Sequence, residues 1–168
     1  MKYLKRFESI VTKLDFRNEK LTELPELPST LKQLSCANNS IQSLPKLPSA
    51  LQYLDCTRNK LVTLPDLPES LESLYCYDND LIELPKLPES LLVLSCSDNE
   101  LTKLPYLHEG LKELYCQSNK LRELPILPES LISLLCIGNN LPYENLEEYK
   151  KWFIINHPEV VNSKKFNI

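Results

Sequence analysis

Leu31-Lys32-Gln33-Leu34-Ser35-Cys36-Ala37-Asn38-Asn39 is answered 20 residues later by Leu51-Gln52-Tyr53-Leu54-Asp55-Cys56-Thr57-Arg58-Asn59. The phrase returns at Leu71, Leu91, Leu111 and Leu131, and no insertion or deletion interrupts it between Val11 and Ile137. Each copy runs on through a tail such as Leu61-Val62-Thr63-Leu64-Pro65-Asp66-Leu67-Pro68-Glu69-Ser70. A fixed period of this length predicts a solenoid, because one unit buries its apolar side only by stacking on its neighbours. Within the unit, Leu34 and Cys36 alternate with Gln33, Ser35 and Ala37, the period-two pattern of a short, half-buried strand.

Asn39, Asn59, Asn79, Asn99, Asn119 and Asn139 follow the strands where the chain must turn. An inward amide at that point can satisfy backbone groups of its own turn and of the next one, as burial of polar groups requires. Six identical choices at one phase set this ladder apart from ordinary exposed turn asparagines. The proline pairs, such as Pro45 with Pro48 and Pro65 with Pro68, then fix an extended and donor-poor return path. That excludes an α-helix on the return side.

The unit L-x-x-L-x-C-x-x-N-x-L-x-x-L-P-x-L-P-x-S resembles the leucine-rich repeat, in the short class found in bacterial effectors and giant-virus proteins. The resemblance covers residues 11 to about 141 and implies a crescent with a concave parallel sheet and extended, polyproline-like segments on the convex side. Six full units start at 11, 31, 51, 71, 91 and 111, with a truncated seventh at 131. Since extended segments are narrow, the curve should be weak and the stack about 30 Å long at roughly 4.8 Å per unit.

The expected organisation is an N-terminal cap over 1–10, repeats over 11–141, a C-terminal capping helix over 142–160 and a frayed tail over 161–168. At the front, Tyr3, Phe7 and Ile10 recur at helical spacing, and Glu19 stands where the first turn asparagine belongs. At the back, Asn145 and Glu148 form the pattern of a capping box. Leu146, Tyr149, Trp152 and Phe153 then make an apolar face before His157-Pro158 ends the helix. The helix is expected to cover Leu135 and Ile137; a partner-binding role for it is the alternative.

A chain of 168 residues suffices for one domain, and its net charge of −4 offers no basic stripe for nucleic acid. No run reaches the length of a membrane span. Behind Met1-Lys2-Tyr3-Leu4-Lys5-Arg6-Phe7 there is no apolar stretch, so a secretory signal is not expected. The six cysteines, Cys36, Cys56, Cys76, Cys96, Cys116 and Cys136, all occupy the sixth position of the unit. In-register stacking holds neighbouring Cβ atoms about 4.8 Å apart and parallel, short of the convergence to about 3.8 Å that a disulfide needs. The ladder therefore reads as reduced core packing and points to a cytoplasmic setting, in the protein's own cell or a host. A metal site is the sharper alternative, but it lacks histidines at ligand spacing.

Little supports catalysis. His108 and His157 belong to different elements, and His108 replaces a repeat proline beside Gly110, as in a surface loop. Buried thiols make poor nucleophiles, and two scattered glycines build no phosphate cradle. Some effectors with similar repeats carry a ubiquitin-ligase domain behind them, but the short segment after these repeats contains no cysteine. No cofactor is expected. Glu69, Glu89, Glu109 and Glu129 share one phase and read either as turn-capping carboxylates or as an edge for a basic partner. Asp78, Asp80, Asp98 and Glu100 flank two turns; they are solvated turn residues or, alternatively, a calcium site.

Positions three, five and seven of the unit should face out from the concave sheet, and there the sequence stops repeating. They hold Tyr53, Tyr75, Tyr77, Val93 and Tyr115, bordered by Arg58 and Glu113. Aromatics exposed on a rigid platform are common interface anchors, although β-propensity alone also favours Tyr in strands. These residues are the candidate partner-binding site. They point to a monomeric, non-enzymatic adaptor or scaffold with a protein partner and no nucleic acid or membrane. The alternative is the substrate-recognition component of a ubiquitin ligase or other enzyme system whose catalytic part is encoded elsewhere. A small-molecule or glycan receptor would need a pocket that a flat sheet does not offer.

Overall fold

The computed structural model describes residues 11–157, so the cap expected over 1–10 and the tail expected over 161–168 lie outside the described residues. Each repeat contributes one three-residue strand: β1 (Lys13–Asp15), β2 (Gln33–Ser35), β3 (Tyr53–Asp55), β4 (Ser73–Tyr75), β5 (Val93–Ser95), β6 (Glu113–Tyr115) and β7 (Ser133–Leu135). They form one parallel sheet in sequence order on the concave side of the solenoid. The register shifts by one repeat at each step, Leu34 opposite Leu54 and Leu54 opposite Leu74.

Strict alternation puts one strand residue inward and two outward. Leu34, Leu54, Leu74, Leu94 and Leu114 are fully buried, as are the leucines that open their units and the cysteines two residues later. Beyond the strand, residue eight of every unit is left-handed: Asn18, Asn38, Arg58, Asp78, Asp98, Ser118 and Gly138 all have positive φ. That reversal sends the chain inward to the asparagine and then to a buried Leu or Ile, such as Ile41 or Leu61. Among the described residues the return segments of the repeats carry no helix. Such a segment ends in a tight turn whose first carbonyl belongs to the second proline, as in Leu71 N–H to Pro68 O at 3.0 Å, which delivers the chain to the next strand.

The last unit is closed by α1 (Leu146–Asn156). Asn145 caps it, accepting from Glu148 N–H at 3.0 Å, while Glu148 reaches back to the Glu144 N–H at 2.9 Å. Its buried face is Tyr149 and Phe153, with Tyr143 packed edge-on against Tyr149 at 5.1 Å between centroids. The helix does not cover Leu135 and Ile137, which remain 43% and 52% exposed. It lies instead over the return side, where the Tyr149 hydroxyl approaches the Leu127 N–H at 3.5 Å. The open edge of β7 is met by the chain before the helix: Cys136 N–H donates to Glu144 O at 2.9 Å, and Leu135 bridges Asn145 antiparallel.

Candidate functional site: the concave sheet face

Two layers of residues build this face, an inner one that fixes the backbone and an outer one that meets solvent. The inner layer is the asparagine ladder. Asn79 Oδ1 accepts from the Leu61 N–H at 3.0 Å, and its Nδ2 donates to the carbonyls of Cys56, Cys76 and Tyr77 at 3.1, 3.1 and 3.3 Å. Asn39, Asn59, Asn99, Asn119 and Asn139 repeat the arrangement. Each amide ties its own turn to the preceding unit, not to the following one as the sequence suggested. The reason is geometric: the amide sits beside the turn that the chain left one repeat earlier.

Behind the strands lie the six cysteines, all free and buried. Burial holds Cys36 and Cys96 protonated up to about 12 and Cys136 up to about 11. The thiols of Cys56 and Cys76 are also pushed up, first by burial and then by neighbouring thiols. Such groups pack; they do not attack.

In the outer layer, Tyr53 and Tyr75 meet with ring centroids 5.5 Å apart although they come from adjacent units. The Tyr115 hydroxyl donates to Glu113 Oε2 at 2.9 Å. Burial raises the Tyr53 and Tyr75 hydroxyls above the usual phenol range, and nearby carboxylates add to it, Asp55 for Tyr53 and Glu113 for Tyr75. Tyr53, Tyr75, Tyr77, Val93, Glu113 and Tyr115 are all half-buried on this one face. Between the tyrosine-bearing strands, Ser95 and Ser97 point outward yet are buried, and Ser97 donates to Gln117 Oε1 at 2.6 Å. The centre of the face is thus closed over by small, buried serines. Arg58 sits apart, on the left-handed turn, where it faces Asp78 at 3.6 Å.

The remaining candidates have other duties. Glu109 Oε2 accepts from the Glu129 N–H at 3.3 Å, so at least that pair of the acidic column caps a turn. Glu100 pairs with Lys120 and Asp78 with Arg58, and no group of three His, Cys, Asp or Glu among the described residues gathers as a metal site. His108 is not the surface residue its position suggested. It is buried in the column that Pro88 and Pro128 occupy in neighbouring units, with Nδ1 accepting from Gly110 N–H at 3.0 Å and Nε2 without a partner among the described residues. Gly110 makes the room: a Cβ there would stand 2.9 Å from His108 Cε1. No helix among the described residues is long and apolar enough to cross a membrane.

Comparison with known proteins bears on this geometry. A family model described as leucine-rich repeats in two copies matches residues 29–69. The leucine-rich repeat domain of a Shigella effector is 31% identical, the match covering 92% of this chain and 78% of that one, with a TM-score of 0.69. This chain belongs to the leucine-rich repeat family. YopM from Yersinia enterocolitica WA-314 is 43% identical over 71% of this chain, with a TM-score of 0.71. The functional domain of InlJ from Listeria monocytogenes, which includes a cysteine ladder, is 31% identical over 79% of it, with a TM-score of 0.65. The matched regions make up only 27% of that YopM chain and 31% of that InlJ chain, so this repeat array spans well under half of either. No curated protein sequence matches the chain.

Proposed function

We propose that this leucine-rich repeat array is a non-enzymatic protein-binding module, an adaptor or scaffold that holds its partner on the concave sheet. The observation that carries the reading is the gathering of Tyr53, Tyr75, Tyr77 and Tyr115 on one face, from units where the repeat itself demands none of them. The buried, protonated thiols support binding without chemistry, and they suit a reducing compartment such as the cytoplasm of the protein's own cell or of a host. The effector proteins that the array resembles support the same role.

Tyrosine anchors at interface centres typically cost about 2 kcal/mol or more on truncation. Tyr75→Ala combined with Tyr115→Ala should therefore weaken partner capture at least about tenfold, measured by quantitative proximity labelling in cell lysate, with thermal unfolding shifted only slightly. Tyr106→Ala, 74% exposed on the convex side, serves as the control and should capture normally. A double variant that retains the wild-type partner set would exclude the concave sheet as the binding face.

A further inference from the structure

The concave face changes character halfway along. On β1 to β3 the fifth and seventh positions hold Asp15, Ser35 and Asp55 with Arg17, Ala37 and Thr57. At these two positions this half is polar and partly self-neutralised, Tyr53 standing at the third position: Arg17 forms two side-chain bonds with Asp15, which hold that carboxyl down to about 2. From β4 onward the same positions hold Tyr75, Ser95, Tyr115 and Leu135, with Tyr77, Ser97, Gln117 and Ile137. Register places Tyr75 beside Ser95, Ser95 beside Tyr115 and Tyr115 beside Leu135, so aromatic and aliphatic side chains form a tract to the end of the sheet that is interrupted by the small, buried Ser95 and Ser97. Its last members, Leu135 and Ile137, are the ones α1 leaves open.

Carboxylates border that tract on both long sides. Asp78 and Asp98 stand on the left-handed turns at one rim, both exposed; Asp78 faces Arg58 at 3.6 Å, whereas Asp98 makes no ion pair among the described residues. Glu72 and Glu113 stand at the other rim, where Lys112 is the one cation at the second and third positions of these units. Tyrosine faces and carboxylates both attract cations, and a row of like charges at a rim repels acidic partners.

We infer that this C-terminal half of the concave face docks a segment of a protein partner in which lysine or arginine alternates with aliphatic or aromatic residues. The apolar side chains lie against Tyr115, Leu135 and Ile137, and the cations cross Tyr75 and Tyr77 toward Asp78 and Asp98. This rests on the reading of the concave sheet as the binding face and adds the chemistry of what it binds.

A phage-displayed random peptide library panned on the full chain tests it without presuming a sequence. Enriched peptides should carry Lys or Arg within a few residues of Leu, Ile or Phe, and a synthetic copy of one should bind more weakly as salt rises. Its affinity should fall at least about tenfold in an Asp78→Asn, Asp98→Asn variant and in a Leu135→Ser, Ile137→Ser variant. Asparagine accepts the left-handed φ that Asp78 and Asp98 adopt, so the first variant removes charge without straining the turns. Asp66→Asn on the convex side should change nothing. Absence of enrichment, or selection of acidic or uncharged peptides, overturns the inference. If such uncharged peptides still lose binding with Tyr75→Ala and Tyr115→Ala, only the charge chemistry falls. Peptides indifferent to every concave substitution remove the binding face as well.

Discussion

Replacing Asn79 by alanine tests how the stack is held. The substitution removes four hydrogen bonds, but they are not equivalent. The carbonyl of Cys56 keeps the Asn59 amide at 3.1 Å, and that of Cys76 keeps the Asn99 amide at 3.1 Å, because each of these oxygens is shared by two rungs. The Leu61 N–H keeps nothing, since Asn79 Oδ1 is the partner it has in the core. An orphaned buried donor costs about 1–3 kcal/mol, and thinning the shared bonds adds roughly another 1 kcal/mol. The total expected is about 2–4 kcal/mol. Asn79→Asp should be worse at neutral pH, because a carboxylate would face the three carbonyl oxygens that the amide now serves.

The control must be chosen with care. Asp78 is a neighbour but has φ of 57°, so alanine there would itself cost about 1–2 kcal/mol. Asp80 is exposed, and its own N–H reaches Leu61 O at 2.9 Å whatever the side chain. Asp80→Ala should stay within about 0.5 kcal/mol of wild type. Urea unfolding followed by far-UV circular dichroism gives both values, provided the slopes agree. If Asn79→Ala matches Asp80→Ala, the ladder does not hold the units together and the reasoning fails.

Two further outcomes follow from the core. The thiols of Cys36, Cys96 and Cys136 ionise in the fold only near 12, 12 and 11, against 9.0 for the exposed group. Their contribution is therefore complete below about 9 and is lost as pH rises toward 11–12, by up to about 1.4 kcal/mol per pH unit for each thiol. The urea midpoint should drop between pH 8 and pH 10.5 in the presence of reductant, less so in Cys96→Val, and denaturing alkylation should count six free thiols; a flat profile or a recovered disulfide contradicts this. On the convex side, Gly110→Ser alone should destabilise by about 1–3 kcal/mol, because its Cβ meets the His108 ring. Combined with His108→Pro it should instead stabilise, since Ser90 and Ser130 in the same column donate to Leu71 O and Leu111 O at 2.6 and 2.7 Å. Four-corner thermal melts measure the coupling, and additive effects would refute it.

The strands, their register and the buried columns were legible because a fixed period leaves a leucine only one way to remain inside. The left-handed turn was harder to see. Its column reads Asn18, Asn38, Arg58, Asp78, Asp98, Ser118, Gly138, which looks variable because the constraint falls on the backbone and not on a side-chain type. The excess of Asn, Asp and Gly was the available signal, since these residues tolerate positive φ best. His108 was misplaced for a related reason. A polar residue in a loop reads as exposed unless the proline it replaces is known to be buried, and only Gly110 two residues later hinted at a ring folded inward. The face of α1 was evident from its spacing, but spacing does not say which side of the last turn it covers. Aromatic contacts between Tyr143, Tyr149 and Trp152 decide that.

Scaffold and recognition occupy different columns of this repeat, and that separation has a physical consequence. Positions one, four, six, nine and eleven are confined between neighbouring units, so a change there alters an inside whose volume and hydrogen bonds are already assigned. Positions three and five touch neighbours on one face only. Tyr75 and Leu135 hold equivalent positions on β4 and β7, and the strand geometry is the same under both. The sheet thus places whatever side chain it is given at a fixed spacing, and the pattern across β4 to β7 can change without disturbing the fold beneath. Binding and stability should consequently respond to separate sets of substitutions: Tyr75, Tyr115, Leu135 and Ile137 on one side, the asparagines and cysteines on the other. A fold in which the outer tyrosines carried the stability would show both losses together, and the coincidence would mean that the aromatic face is part of the core.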